Sequence, residues 1–443
     1  MRRDPLPMSA PIVWHDDGTP PPTRTLCTDC GISRSAQPSR CASACQFIRP
    51  DFPGLEARVH GRTRDPARPD ELHFGVHQRM LQAQLAEPRA GAQWSGLTTR
   101  VAERLLESGT VQAVLTMGRD AADRWKPVPR LVTDPAGLAE CRGMKMGHAP
   151  LLALLEPARA QGITRLAVIG LPCQVHALRA LQDELGFEDL WVIGTPCSDN
   201  TSTANYHRFL ALLDPHPETI GYCEFRADYR VELRHDDGRR RTIPFLQLPL
   251  SQLPADFFPL TCKTCVDYPN ALADLTVGYM GGSGRQWLVV RNERGQAMLD
   301  LLGDELVAEP PSSAGRREGA VRGFLGNLQR AAGGLPLRRM PAWLRPLVAW
   351  LMPRVGPRGL EFARARLEMK ALETVVTLQR ERPRRMRHMV PDHVRQLAAR
   401  YGVGPAPTPS SNATVAPGDA ERGPGASAAT KPTPAASATV RLT

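Results

Sequence analysis

Leu166-Ala-Val-Ile-Gly170 is apolar at every position, and Leu190-Trp-Val-Ile-Gly194 repeats it 24 residues on. Short runs of this kind, closed by Gly and Pro, predict strands buried on both faces. Between them, Gln174 to Leu185 is apolar at helical spacing, so the stretch reads as a βαβ unit with parallel strands. Each copy ends in Pro and Cys, at Pro172-Cys173 and Pro196-Cys197. Both turns then fall at one carboxyl edge, where ligands of open α/β sheets collect. Thr98 to Ser108 and Pro150 to Gln161 are helical in period, and Val111 to Thr116 is a β-branched run. The alternation predicts an α/β fold. Thr219 to His235 and Arg239 to Phe245 read as a hairpin turning at Asp236-Asp237-Gly238. Met340 to Met352 is apolar, with Trp343 and Trp350 on one helical face. That pattern suits either a helix lying in a membrane interface or a core helix packed on the α/β domain.

These elements divide the chain. Residues 1–24 read as a flexible arm, 25–60 as a cysteine segment, 61–300 as the α/β domain, 301–403 as a basic, mainly helical region and 404–443 as a disordered tail. The net charge of +11 is unevenly spread, since residues 301–400 hold 19 Lys or Arg against 9 Asp or Glu. An acidic protein or an anionic membrane would therefore dock on the C-terminal region. No apolar run is long enough to span a bilayer, and Met1-Arg2-Arg3-Asp4-Pro5 begins no signal peptide. The expectation is a cytoplasmic protein in a reducing compartment, with thiols free or bound to metal.

The cysteines carry the chemistry. Cys27, Cys30, Cys41 and Cys45 form two pairs joined by a polar loop that lets the chain double back. Four close thiolates suit a tetrahedral zinc ion or an iron–sulfur cluster, and spacing leaves both open. Cys262 and Cys265 form a third pair, which with Cys173 and Cys197 makes a second set of four. Two such sets make a second cluster the economical reading. Cys141 is the rival for its fourth ligand, and Cys223 sits in a strand pattern as a core residue. Ser95, Gly96, Thr98 and Thr99 stand where a helix begins and suit a phosphate, although an ordinary helix cap looks the same. Arg142, Gly143 and Lys145 place two cations beside a glycine and suit the same phosphates or a flavin ring. No Gly-x-Gly-x-x-Gly follows a strand, so nothing supports a nicotinamide fold.

Taken together, the two thiol sets, G-A-Q-W-S-G-L-T-T, C-R-G-M-K-M-G, G-L-P-C-Q-V, G-T-P-C-S-D-N, F-P-L-T-C-K-T-C-V-D-Y and A-D-L-T-V-G-Y-M-G-G resemble an iron–sulfur flavoprotein family. It is the family related to the beta subunits of deazaflavin-dependent hydrogenases, and the likeness runs from about Leu26 to about Tyr401. Within it the chain is similar to the ferredoxin-dependent 8-vinyl reductases of chlorophyll and bacteriochlorophyll synthesis, whose sister reduces a 7-hydroxymethyl group. The resemblance implies two [4Fe-4S] clusters on the eight cysteines and FAD at the Ser95–Thr99 and Arg142–Lys145 segments. It also implies reduced ferredoxin as donor and divinyl (proto)chlorophyllide as substrate, while peripheral contact with the photosynthetic membrane is expected through the basic C-terminal region. The task fits the parts, because ferredoxin supplies single electrons while a vinyl group takes up two, and a flavin converts one to the other. His148, Asp199 and Tyr268 are candidate proton donors, and no catalytic residue is assigned. Where the wider family often has Gly-Asp, this chain has Gly278-Tyr279, so no role of that Asp carries over. A zinc-bearing nucleic-acid binder is the reading from another class. It is disfavoured because the basic surplus is remote in sequence from the cysteines and no aromatic-rich basic strand occurs.

Overall fold

Leu166 stands beside Leu190 and Gly170 beside Gly194 in a parallel pair, so the 24-residue repeat is also the register of the sheet. A computed structural model describes residues 12–13, 26–226, 228–279, 285–330, 341 and 343–404. In chain order the main strands begin with β1 (Ile12–Val13), β2 (Arg79–Leu85), β3 (Ala113–Arg119), β4 (Pro127–Val132), β5 (Arg165–Gly170) and β6 (Asp189–Gly194). Then come β7 (Ile220–Phe225), β8 (Arg230–His235), β9 (Arg240–Pro244), β10 (Leu275–Tyr279), β11 (Gln286–Val290) and β12 (Leu306–Glu309). Among the described residues, nine of them form one sheet in the order β1-β4-β3-β5-β6-β10-β11-β2-β12. β3, β5, β6 and β10 run parallel, and antiparallel strands extend both sides. The fold is mixed α/β, as the alternation predicts.

The central strands are buried on both faces, which explains their unbroken apolar runs. Leu166 and Val168 pack with Val175, Leu178 and Leu181 of the helix Pro172–Leu181. Ala167, one residue out of phase, joins Ile193, Val277 and the helix Leu97–Glu107 on the other face. The helix after β5 starts at Pro172, whose missing N–H costs nothing in the first turn, and Gln174 Oε1 accepts from Leu171 N at 3.0 Å. Gly194 ends β6 against Asn270 and Ala273, and a Cβ there would lie 2.6 Å from both.

The expected hairpin is a three-stranded sheet. Gly238, at φ 86°, turns β8 into β9 as predicted, but the chain also reverses between Phe225 and Arg230. That second turn has no glycine signal, and Tyr229 adopts the left-handed conformation instead, at φ 62°. Cys223 is buried in the core beneath this sheet, with Tyr206, Phe209, Val231 and Leu233.

The C-terminal helices fold back over the cysteine segment. Val321, Leu372, Val375, Val394 and Leu397 share one core with Phe47 and Leu72. At its edge Glu368, 1% exposed, bonds His73 Nε2 at 3.1 Å, Arg317 Nε at 3.1 Å and Tyr401 Oη at 2.6 Å. The helix Leu344–Val355 buries none of its residues, and Trp343 and Trp350 are 75% and 58% exposed, so the core-helix reading fails. Among the described residues no helix is long and apolar enough to cross a membrane. Ile12 and Val13 of the expected arm pair with β4; the rest of that arm, and residues 405–443 of the expected tail, lie outside the described residues.

Candidate functional site

Both thiol sets assemble, and they adjoin. In the first, burial pushes the Cys30 thiol up to about 12, reinforced by the charges of Cys45, Cys41 and Cys27 against a backbone bond at Ile32. The other three thiols of this segment therefore lie within electrostatic reach of Cys30. Asp29 N donates to Cys27 Sγ at 3.3 Å, and Arg34 pairs with Asp29 at 2.7 Å to hold the turn. The second set lines a small cleft at the carboxyl ends of β5 and β6, where Cys173, Cys197, Cys262 and Cys265 meet. Burial raises the Cys197 thiol, and Cys262, Cys173 and Cys265 add to it. Asn200 N donates to Cys262 Sγ at 3.4 Å. Cys141 lies apart beside Gly137, Lys145 and Arg130, so it is Cys173 that completes the group in the cleft.

Two contacts join the sets. Gln46, next to Cys45, donates through Nε2 to Cys265 Sγ at 3.7 Å, and Cys173 feels the charge of Cys30. Among the described residues, no three Cys, His, Asp or Glu side chains close around the position of a single ion. Four soft thiolates in each set suit an iron–sulfur cluster, as they would a zinc ion.

A helix that no sequence motif announces, Leu360–Glu381, called the roof helix below, packs against Cys265 and Asp199 at the edge of the cleft. Phe362, Arg366, Lys370 and Thr374 recur every four residues and so share one face. Thr374 Oγ1 donates to Cys265 O at 2.9 Å, and Lys370 Nζ holds Asp199 and Glu373 at 2.8 Å each. Of the three candidate proton donors, Asp199 is thus engaged, while His148 Nε2 and Tyr268 Oη are buried without a partner among the described residues. The basic stretch beyond this helix returns to the first thiol set, because Arg385 Nη1 donates to Phe47 O at 3.2 Å. One arginine of the basic region, remote from the cysteines in sequence, is therefore beside the first thiol set in space.

The two segments read as phosphate sites are also brought together. Gly96, at φ 89°, opens the helix Leu97–Glu107, and Arg142 Nη1 reaches Ala90 O at 3.4 Å. Ser95 spends its hydroxyl internally, accepting from Leu85 N and donating to Gln286 Oε1, both at 3.0 Å. Thr98 and Thr99 remain half-buried in the first turn, and Arg142 pairs with Glu103 at 2.7 Å. Lys145 is bonded to the carbonyls of Met117 and Cys141, and burial lowers its ammonium to about 8. Arg119, which sequence reading missed, bonds the Arg142 carbonyl at 3.3 Å and lies 2.8 Å from where a Cβ on Gly143 would stand. Among the described residues neither Lys145 nor Arg119 has a carboxylate partner, so two cations beside a left-handed glycine fit a diphosphate. Trp94, preceding this segment, stacks on Tyr279 at 5.7 Å and 20°, and Tyr279 meets Phe362 at 5.4 Å. An aromatic wall thus runs from the phosphate segment to the roof helix.

Residues 80–156 match the family described as Coenzyme F420 hydrogenase/dehydrogenase, beta subunit N-term, and residues 163–313 match the family of the C terminus of the same beta subunit. An uncharacterised protein of Nostoc sp. is 36% identical over 381 residues, covering 86% of this chain and 94% of that one. The chain belongs to the family of coenzyme F420 hydrogenase/dehydrogenase beta subunits. Another relative, the 7-hydroxymethyl chlorophyll a reductase of Oryza sativa subsp. japonica, is 33% identical and covers 86% of this chain and 83% of its own. The beta subunit of the coenzyme F420 hydrogenase of Methanococcus voltae is 25% identical over 54% of this chain and 85% of that one. The two matched spans hold the second thiol set and both phosphate segments. The first thiol set and the roof helix lie outside them, so this chain adds to the family domains a further group of thiols and a helix packed against Cys265 and Asp199.

Proposed function

We propose that the protein is an oxidoreductase that reduces the 8-vinyl group of divinyl (proto)chlorophyllide to ethyl with electrons from reduced ferredoxin. The observation that carries this reading is the adjacency of two four-thiol sets, the inner one opening at the carboxyl edge beside the phosphate segments and the aromatic wall. Bound there, two [4Fe-4S] clusters and FAD would accept electrons singly and deliver a hydride. The eight cysteines hold the clusters, with N–H groups of Asp29, Gln46 and Asn200 directed at sulfurs of both sets. Arg119, Lys145, Thr98 and Thr99 hold the flavin phosphates, while Gly96 and Gly143 permit close approach. Of the candidate proton donors, His148 lines the cleft and has an Nε2 without a partner among the described residues, which suits it to moving a proton there. Arg382, Arg384, Arg385 and Arg387 are exposed and begin beside the first thiol set, which suits an acidic ferredoxin. The exposed face of Trp343, Leu347 and Trp350 suits contact with a membrane surface.

A second reading, reduction of a 7-hydroxymethyl group on the same scaffold, is favoured by the name of the Oryza relative. Product chromatography separates the two. Reduced ferredoxin with divinyl protochlorophyllide is expected to give the 8-ethyl product, and NADPH alone none. Conversion of 7-hydroxymethyl chlorophyll with the divinyl pigment untouched would transfer the protein to the second reading.

A further inference from the structure

The aromatic wall ends in a guanidinium with no anion. Arg366 stands one turn beyond Phe362 on the roof helix, half-buried, and among the described residues it has no hydrogen-bond or ion-pair partner. The carboxylates whose charge reaches it, Asp199 and Glu373, are both taken by Lys370 at 2.8 Å. Three phenols lie within its electrostatic reach, of which Tyr229 spends its hydroxyl on the Pro357 carbonyl. Tyr268 is 3% exposed with an unpartnered hydroxyl, and Tyr279 forms the middle of the Trp94–Tyr279–Phe362 stack. Arg366, Tyr268 and Tyr279 all lie within one another's electrostatic reach. A cation and a phenolic O–H left open together in a half-buried place are suited to a planar anion, which a guanidinium grips with two parallel bonds.

The flavin phosphates already have Arg119 and Lys145 at the other end of the wall, which leaves Arg366 for the substrate. A flat macrocycle lying along aromatic faces brings its acidic side chain to the edge of the stack, where Arg366 stands. We propose that Arg366, with Tyr268 as a second donor, binds the free propionate carboxylate of the tetrapyrrole, so that the enzyme takes free-acid pigments and not those esterified to a long alcohol. The proposal rests on the pigment-reductase reading and deepens it. An ester has neither the charge nor the two equivalent oxygens that the guanidinium requires, so Arg366 acts as the specificity filter.

The test is titration of the oxidised holoprotein with divinyl protochlorophyllide and with its propionate methyl ester, read by pigment absorbance, alongside flavin and iron content. The unsubstituted protein is expected to prefer the free acid by about ten- to a hundredfold. Arg366→Gln should abolish that preference at unchanged flavin content, and Arg366→Lys should keep part of it. Tyr268→Phe should lower it several-fold. An unchanged acid-to-ester ratio in Arg366→Gln, or loss of flavin without loss of preference, would overturn the assignment, the latter by moving Arg366 to the flavin phosphates. Absence of binding by either pigment to the unsubstituted protein would overturn the functional reading itself. Binding of both without discrimination would overturn only the carboxylate anchor.

Discussion

Replacing Glu368 by Gln should weaken the clamp that holds the roof helix over the cysteines, and its cost should depend on pH. Glu368 is 1% exposed and bonds His73, Arg317 and Tyr401 from three separate segments. Burial pushes its carboxyl up, but the bonds from His73 and Tyr401 and the charges of Arg317 and His73 outweigh it. They hold the group down to about 2, against an ordinary 4.5. That depression is worth about 3 kcal/mol of stability at neutral pH. The contribution is present above the unfolded value and is lost as pH falls through the folded one. It agrees with the roughly 3–5 kcal/mol typical of breaking a buried pair. Glu368→Gln should therefore unfold about 3 kcal/mol more easily at pH 7, and its deficit should shrink by about 1 kcal/mol between pH 5 and pH 3.5. The assay is denaturant unfolding of both proteins at each pH, where groups common to the two cancel. A deficit independent of pH would refute the electrostatic account of the clamp and leave only lost packing.

Three further outcomes are expected. Anaerobically purified protein should be brown with iron and sulfide near eight per chain, Cys27→Ala or Cys41→Ala should remove one cluster, and Cys262→Ala or Cys265→Ala the other; equal partial loss in all four would break the grouping of thiols. Arg119→Met and Lys145→Met should each release FAD, and the unsubstituted protein should hold FAD less tightly as pH rises through about 8, where Lys145 is half deprotonated. Retention unaffected by either substitution would move the flavin elsewhere. Charge reversal at Arg384 and Arg387 should slow reduction by ferredoxin in a salt-dependent way, since screening acts over about 8 Å at physiological ionic strength, and should spare reduction by a small donor. Equal slowing with both donors would indicate a damaged fold.

What the sequence made legible was local. The 24-residue repeat announced both strands, their parallel register and the meeting of Cys173 with Cys197, because a βαβ unit fixes all three within one short stretch. Spacing likewise gathered Cys27 with Cys30 and Cys262 with Cys265. The antiparallel flanks were not legible, since β2 pairs with β11 and β12 from more than 200 residues away. Neither was the roof helix, whose four-residue stripe resembles any solvated helix until Cys265 and Asp199 are placed beneath it. Arg119 carries no motif, and its place beside the phosphate segment emerges only when Gly143 is brought against it. The Trp343–Trp350 face was legible as a face but not as exposed, because periodicity says where apolar residues line up and not what covers them.

The central claim is an ordered route in which electrons enter at Cys27–Cys45, pass to the thiols of the cleft and reach the pigment beside the aromatic wall. The most direct measurement compares multiple turnover driven by reduced ferredoxin with a single turnover of prereduced protein, for the unsubstituted chain and Cys45→Ala. The substitution should abolish ferredoxin-driven formation of 8-ethyl product while the prereduced protein still converts up to one equivalent of divinyl pigment. Ferredoxin-driven turnover that survives in Cys45→Ala, or turnover sustained by NADPH without ferredoxin, would contradict the route.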